Sequence, residues 1–384
     1  MGTMQTSIVF LCGTLFLYLF FIFIKFLHKV WWTPIQIQQA MRLQGIKHPF
    51  YRFLYGSTKE ILNMRKESNG KPMELSHYIF PKIQPHCTLG STSVSSLVSE
   101  AEFVKDIMNN KDKSYPKNEP DGFIKKLWLL RSADDIESKK LKQGICKSII
   151  RTIVKREKAM NVKVDSFGND FLGLLVKVNY DADEGKRITV DDVVDECKTF
   201  YTAGHETTIS LLTWTVLLLG IHTDWQEKAR QEMNMIINES LRLYPPVVLL
   251  PRIVKHEAKL GKFSVPANTT LVIPTLSIHH DTQIRGEDAQ QFKPKRYSEG
   301  VAKATNNNLA VFLPFGLGPR SCVGLKFGLN EAKIALIMML QRYAFTLSPA
   351  YIHSPIVMLT SRPQHGVQNP LADKWDENKD GYVA

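Results

Sequence analysis

The residues best equipped for chemistry form one short run, Phe315-Gly-Leu-Gly-Pro-Arg-Ser-Cys-Val-Gly324. Cys322 stands between two glycines, Gly318 and Gly324, two residues after Arg320 and just ahead of an apolar run starting near Leu325. A cysteine thiolate is a soft donor for a transition metal. The glycines permit turn conformations and a close approach of backbone to a bound group. A helix opening near Leu325 would aim its positive end at the sulfur, and Arg320 is placed to pair with an anion. Taken alone, a single cysteine ahead of an apolar helix reads as a buried core residue.

Two further groupings gain meaning only beside that loop. Ala203-Gly-His-Glu-Thr-Thr208 puts Gly204, Glu206 and Thr207 in a long helix, just ahead of its almost wholly apolar half, Ile209–Leu219. Glu239 and Arg242 lie three apart, on one face of a helix. By themselves the first reads as surface and the second as an ordinary helical ion pair.

Together the three resemble the cytochromes P450. The loop matches that family's haem loop at Phe315, Gly318, Arg320, Cys322 and Gly324. The resemblance implies haem b (heme) with Cys322 as axial thiolate to the iron, which favours O–O cleavage. It implies Arg320 and Arg252 as partners of the haem propionates. Gly204 would leave room for oxygen, Thr207 would donate a hydrogen bond in oxygen activation, and Glu206 would feed protons through water. Glu239, Arg242 and Arg296 would form a structural network on the haem side. Arg296 belongs to Phe292-Lys-Pro-Lys-Arg-Tyr297, where Lys295 replaces the glutamate usual in the family. Electrons would come from NADPH through the membrane-bound NADPH-cytochrome P450 reductase, and the substrate would be a small apolar molecule.

The opening resembles one plant clan of the family, which includes secologanin synthase and triterpene- and gibberellin-modifying oxidases. The residues carrying this are Trp31-Trp-Thr-Pro34, Ile37-Gln38, Gln44-Gly45-Ile46 and Tyr51-Arg-Phe53, with Asp195-Glu-Cys-Lys-Thr-Phe200 further on.

The elements that must position these residues are mostly helices. Thr189 with Asp191 and Asp192 makes a helix start, and helical character continues to about Ile221. Trp225 to Arg242 reads as one or two helices, ended by Pro245 and Pro246. Ala258–Val265 and Thr270–Ile273 read as short strands around a Pro-Ala-Asn turn, and Asn330–Leu340 as part of a last helix. Residues 73–90 suggest no clear element, and the tail from Asn369 is expected to be loose. The fold expected is mainly α with small β-sheets, an incomplete cytochrome P450 fold behind an N-terminal transmembrane helix. Its divisions are an anchor over 1–30, the P450 domain over 31–368 and a polar tail over 369–384.

Incompleteness follows from length. A member of this family has roughly 500 residues in one cooperative unit, and this chain has 384. Lys125-Lys-Leu-Trp128 passes almost directly to Arg131–Ser138, where similar proteins carry the helix that grips a propionate and the helices that roof the pocket. Glu206 and Glu239 are only 33 positions apart, about half the expected distance, with the join placed at Met233–Ile236. The strand residues expected around Cys87–Ser99 are absent.

Composition sets the remaining bounds. With 44% hydrophobic and 22% charged residues the chain is not disordered as a whole. A net charge of +12 suits an anionic membrane surface or an acidic docking partner. Without zinc-finger spacing or an aromatic-interleaved basic stripe, nucleic acid is the weakest reading. Five scattered cysteines argue for a reducing compartment. Residues 7–24 carry no charge, and Lys25, His28 and Lys29 follow them. That order reverses a cleavable signal and predicts one crossing of the endoplasmic reticulum membrane, with the catalytic domain cytosolic. The leading reading is a monooxygenase acting on an apolar plant metabolite, terpenoid or related. The second is a noncatalytic, membrane-anchored remnant or splice product without productive haem binding.

Overall fold

The computed structural model describes residues 2–46, 58–87, 95–111, 113–117, 133–160, 170–180, 183, 185 and 187–373. Tyr51–Phe53, the Trp128–Arg131 join and the end of the polar tail lie outside them. The chain divides into two compact units, residues 1–118 with 208–384, and residues 119–207.

The larger unit begins with a helix over Gly2–Leu27. At 1.5 Å per residue its 26 residues reach about 39 Å, more than the ~30 Å of a bilayer's hydrocarbon. Its described side chains from Phe10 to Ile24 face outward, as a lipid-facing helix requires. Lys25 lies 4.5 Å from the Phe21 ring centroid, and Trp31 and Trp32 stand exposed on the π-helical turn His28–Trp32. The helix Thr33–Leu43 follows. Gln44 then ties this region to the domain by giving its amide nitrogen to the Ser264 carbonyl (2.8 Å) and taking the Ser264 N–H (2.7 Å).

Ser95–Leu97 forms a strand, β1, parallel to β5 (Thr270–Pro274), with Ser95 opposite Thr270. This corrects the expectation that no strand survives between Cys87 and Ser99. The unit's three-stranded sheet is completed by β2 (Leu249–Ile253), antiparallel to β5, which sets Arg252 opposite Leu271. The hairpin β3–β4 (Ala258–Leu260, Phe263–Val265) precedes β5, and Asn268 makes the expected turn with φ 63°. A second correction concerns residues 73–90, where Phe80–Cys87 is helical. Ile79 and Ile83 are fully buried there, so packing overrides the weak local pattern. A third concerns the tail, since Leu371–Asp373 pairs with Tyr343–Phe345 and is therefore held.

The main core gathers Trp214, Leu217, Ile236, Leu241, Leu336 and Leu340 from three helices. These are the second half of Val190–Ile221, then Asp224–Leu243 and Leu325–Arg342. Asp224–Leu243 is two helices joined at a kink, with φ −115° and ψ 21° at Glu232. The kink adjoins the join expected at Met233.

In the smaller unit, Ala133–Met160 and Phe171–Asn179 pack with the first part of Val190–Ile221 around Ile153, Val176, Val193 and Val194. The long helix starts as expected. Asp192 Oδ2 accepts from the Thr189 N–H and hydroxyl at 2.8 and 2.6 Å, while Thr189 Oγ1 accepts from the Asp192 N–H.

Candidate haem-thiolate site

The cysteine loop is closed by its own backbone. Leu313 O accepts from Gly316 N–H at 3.1 Å, and Phe315 O accepts from Cys322 N–H at 2.8 Å. Gly316 and Gly318 both have φ 72°, where side chains are strained. At Gly318 there is also no room, because a Cβ would lie 2.5 Å from the Met108 carbonyl oxygen. The loop is thereby pressed onto the end of helix Ala101–Asn109. Gly324 then leads into helix Leu325–Arg342. The Cys322 side chain is exposed, so the sulfur is presented at the head of that helix and is not a core residue.

Two guanidinium groups, those of Arg252 and Arg320, are near enough for their charges to interact. Arg252 is 4% exposed and, among the described residues, bonds the carbonyl of its own neighbour, Pro251, at 2.8 Å. Burial and the charge of Arg320 both disfavour its protonated form. Among the described residues no carboxylate bonds either arginine. A buried arginine that feels the charge of a second, exposed arginine, with no acid bonded to either, suits an anionic ligand. The residues present therefore fit the propionate side of a haem in charge, and the exposed Cys322 sulfur lies two residues along the chain from Arg320.

Glu239 and Arg242 are wholly buried and joined by two 2.8 Å hydrogen bonds. Arg242 also donates to the carbonyls of His279 and Gln291 at 3.1 Å each, and Glu239 accepts from Lys293 N–H at 3.0 Å. Arg296 comes within 3.8 Å of Glu239 and bonds Asp288 at 3.0 Å. Lys295 is exposed, which explains how the chain tolerates it there. Sequence reading did not single out Asp288, or Arg285, which is buried and bonds the carbonyls of Ala304 and Val311. Neither carries a motif signal by itself.

Gly204, Glu206 and Thr207 belong to the smaller unit. The Thr207 hydroxyl donates to Ala203 O at 2.7 Å, within its own helix, and Gly204 is exposed with open space where a Cβ would stand. The next residue, Thr208, is buried and bonds Glu331 of the last helix at 3.3 Å.

The fold is helix-dominated with small sheets and carries an exposed cysteine at the head of a helix. The family model for cytochrome P450 matches residues 41–365, and the chain belongs to that family. It is 45% identical to Cytochrome P450 CYP749A22 of Panax ginseng, over 94% of this chain and 96% of that protein. It is 30% identical to Secologanin synthase 2 of Catharanthus roseus, over 89% and 93% respectively. The first alignment runs over 502 positions against 384 residues here, so more than a hundred positions have no residue of this chain opposite them. Among solved structures, retinoic acid-bound cyanobacterial CYP120A1 superimposes with a TM-score of 0.57 over 90% of this chain and 75% of that one. At 20% identity that likeness is one of fold.

Proposed function

We propose that the chain is a haem-thiolate monooxygenase of plant metabolism, with Cys322 as the axial ligand. The observation that carries this reading is the exposed Cys322 side chain in a loop closed by the Phe315–Cys322 hydrogen bond. Arg252 and Arg320 would hold the two propionates, while Phe315, Gly318 and Gly324 shape the loop against the group. Haem bound through a thiolate supplies oxygen activation, with one atom inserted into the substrate and the other released as water. Gly204 would leave space beside the helix, Thr207 would turn its hydroxyl from Ala203 O toward that space, and Glu206 would pass protons inward through water. Glu239, Arg242 and Arg296 hold the framework and take no part in the chemistry.

Relatives support a substrate class. One 43% identical over 62% of this chain is the 11-oxo-beta-amyrin 30-oxidase of Glycyrrhiza uralensis, which favours an apolar terpenoid or related molecule here. Residues 1–30 would anchor the protein in the endoplasmic reticulum membrane, with the domain from residue 31 cytosolic and reached by NADPH-cytochrome P450 reductase. The net charge of +12 suits an acidic docking partner.

A second reading is carried by the unmatched alignment positions. With that much of the fold missing, the same chain is a noncatalytic membrane-anchored form. The test of ligation is the reduced protein with carbon monoxide. Thiolate-type absorption that disappears in Cys322→Ser supports the proposal. The same absorption in the variant would refute Cys322 as ligand, and no haem uptake by the wild-type chain would favour the second reading.

A further inference from the structure

The cysteine loop begins at a residue whose two backbone groups are both committed. Leu313 O accepts from Gly316 N–H, which starts the turn. Leu313 N–H donates 2.8 Å to Nε2 of His279, a fully buried side chain at the end of helix Thr275–His279.

An imidazole nitrogen that accepts from an amide carries no proton, so this contact defines the tautomer. His279 is neutral with its proton on Nδ1. Burial and the charges of Arg285, His280 and Arg242 disfavour a second proton and outweigh the opposing effect of the Arg242 backbone. Nδ1 has no hydrogen-bond partner among the described residues. The opposite tautomer would set N–H against N–H at Leu313, so the ring keeps the acceptor where the loop needs it.

The histidine is itself held at both ends. Its carbonyl accepts from Arg242, whose position is governed by Glu239, and its ring lies 5.4 Å from that of Phe312. A continuous series of contacts therefore runs from Glu239 through Arg242, His279 and Leu313 to the turn that ends at Cys322.

We infer that His279 is a positioning residue for Cys322, acting as the hydrogen-bond acceptor that sets where the cysteine loop begins. The inference rests on the functional reading for the purpose of the loop, but not for the contact itself.

The experiment is amide hydrogen exchange on the full-length chain in lipid nanodiscs, without haem, followed in peptides covering 311–324. In His279→Leu the freed Leu313 amide and the turn behind it should exchange about five- to tenfold faster, the worth of one buried hydrogen bond. Amides within Leu325–Arg342 serve as the internal reference and should be unchanged. His279→Gln places an acceptor oxygen near the Nε2 position and should restore protection to within about twofold. His279→Asn, equally polar but one carbon shorter, should not. The Gln–Asn contrast decides the matter if the leucine form does not fold.

Unchanged exchange in His279→Leu would overturn the inference. So would equal loss in the Gln and Asn forms, or failure of both to fold. The spectrum of Cys322→Ser reports on ligation separately. If the thiolate-type absorption persists in Cys322→Ser while the exchange contrast holds, the functional reading falls and the role of His279 in the loop stands.

Discussion

Glu239 and Arg242 meet through two parallel hydrogen bonds, Nε to Oε2 and Nη2 to Oε1, each 2.8 Å long, with neither side chain exposed. Burying both charges is costly, and the remaining donors of Arg242 are spent on the backbone carbonyls of His279, Ala289 and Gln291. The pair is thus the point at which three chain segments are tied together.

Breaking it from one side should be severe. Glu239→Gln leaves Arg242 charged and buried without its counter-ion, a loss of about 3–5 kcal/mol in unfolding free energy. Replacing both by apolar residues of similar size, Glu239→Met with Arg242→Leu, should cost clearly less than the two single changes added. Denaturant unfolding of the four forms checks this, and additive losses would count against it.

Gly318 and Gly316 share a φ of 72° but differ in surroundings. Gly318→Ala drives a Cβ to 2.5 Å from the Met108 carbonyl oxygen, whereas at Gly316 the nearest atom is the Met108 side-chain terminus at 3.5 Å. Gly316→Ala should cost about 1 kcal/mol and Gly318→Ala at least about 2 kcal/mol, with backbone displacement of the loop. Thermal unfolding measured side by side should show this order. Equal shifts would mean that the close approach to Met108 does not hold.

Acid should destabilise the domain before its carboxylates titrate. Burial holds His77 and His353 down to about 4, and His280 to about 3. An unfolded histidine titrates near 6.5, so below that pH the unfolded chain binds protons that the folded one refuses. Stability is then fully present above about pH 6.5 and falls as pH drops toward 4, by up to about 1.4 kcal/mol per pH unit for each such residue. Unfolding midpoints between pH 7.5 and 4.5 test this. A flat profile across that interval would contradict the buried, neutral state of these rings.

Turnover by this 384-residue chain should be at least a hundredfold below that of a form with the unmatched positions restored. Cys322, Glu206 and Thr207 are present, but displacement of a reacting group by about 1 Å costs roughly a hundredfold, and a pocket that lacked its roof would admit water. NADPH-dependent turnover of both forms in microsomes with a plant reductase measures the ratio. Comparable rates per mole of protein would overturn the expectation.

Much of this was legible in the sequence because its causes are local. The cysteine loop announces itself through glycines at turn positions and a following helix. Thr189 and Asp192 lie three residues apart, so their reciprocal cap depends on nothing distant. The Glu239–Arg242 spacing places the pair on one face for the same reason. Local signals failed where packing overruled them. Phe80–Cys87 contains Pro81 and Pro85, yet it is helical beside the buried Ile79 and Ile83, with Pro81 in the first turn where a missing N–H is tolerated. Ser95–Leu97 is polar enough to pass for loop, and becomes a strand because β5 offers it a partner.

The sequence by itself therefore determined the family, the apolar N-terminal helix, the start of the long helix and the turn positions of the cysteine loop. Tertiary structure alone decided which distant groups meet. Arg252 comes to oppose Arg320 across 68 positions of chain, and His279 comes to hold Leu313 across 34. Propensity, capping and turn chemistry act over a few residues and can be read along the chain. Contacts between remote segments are chosen by which surfaces the whole core buries together, and that selection exists only once the chain has folded.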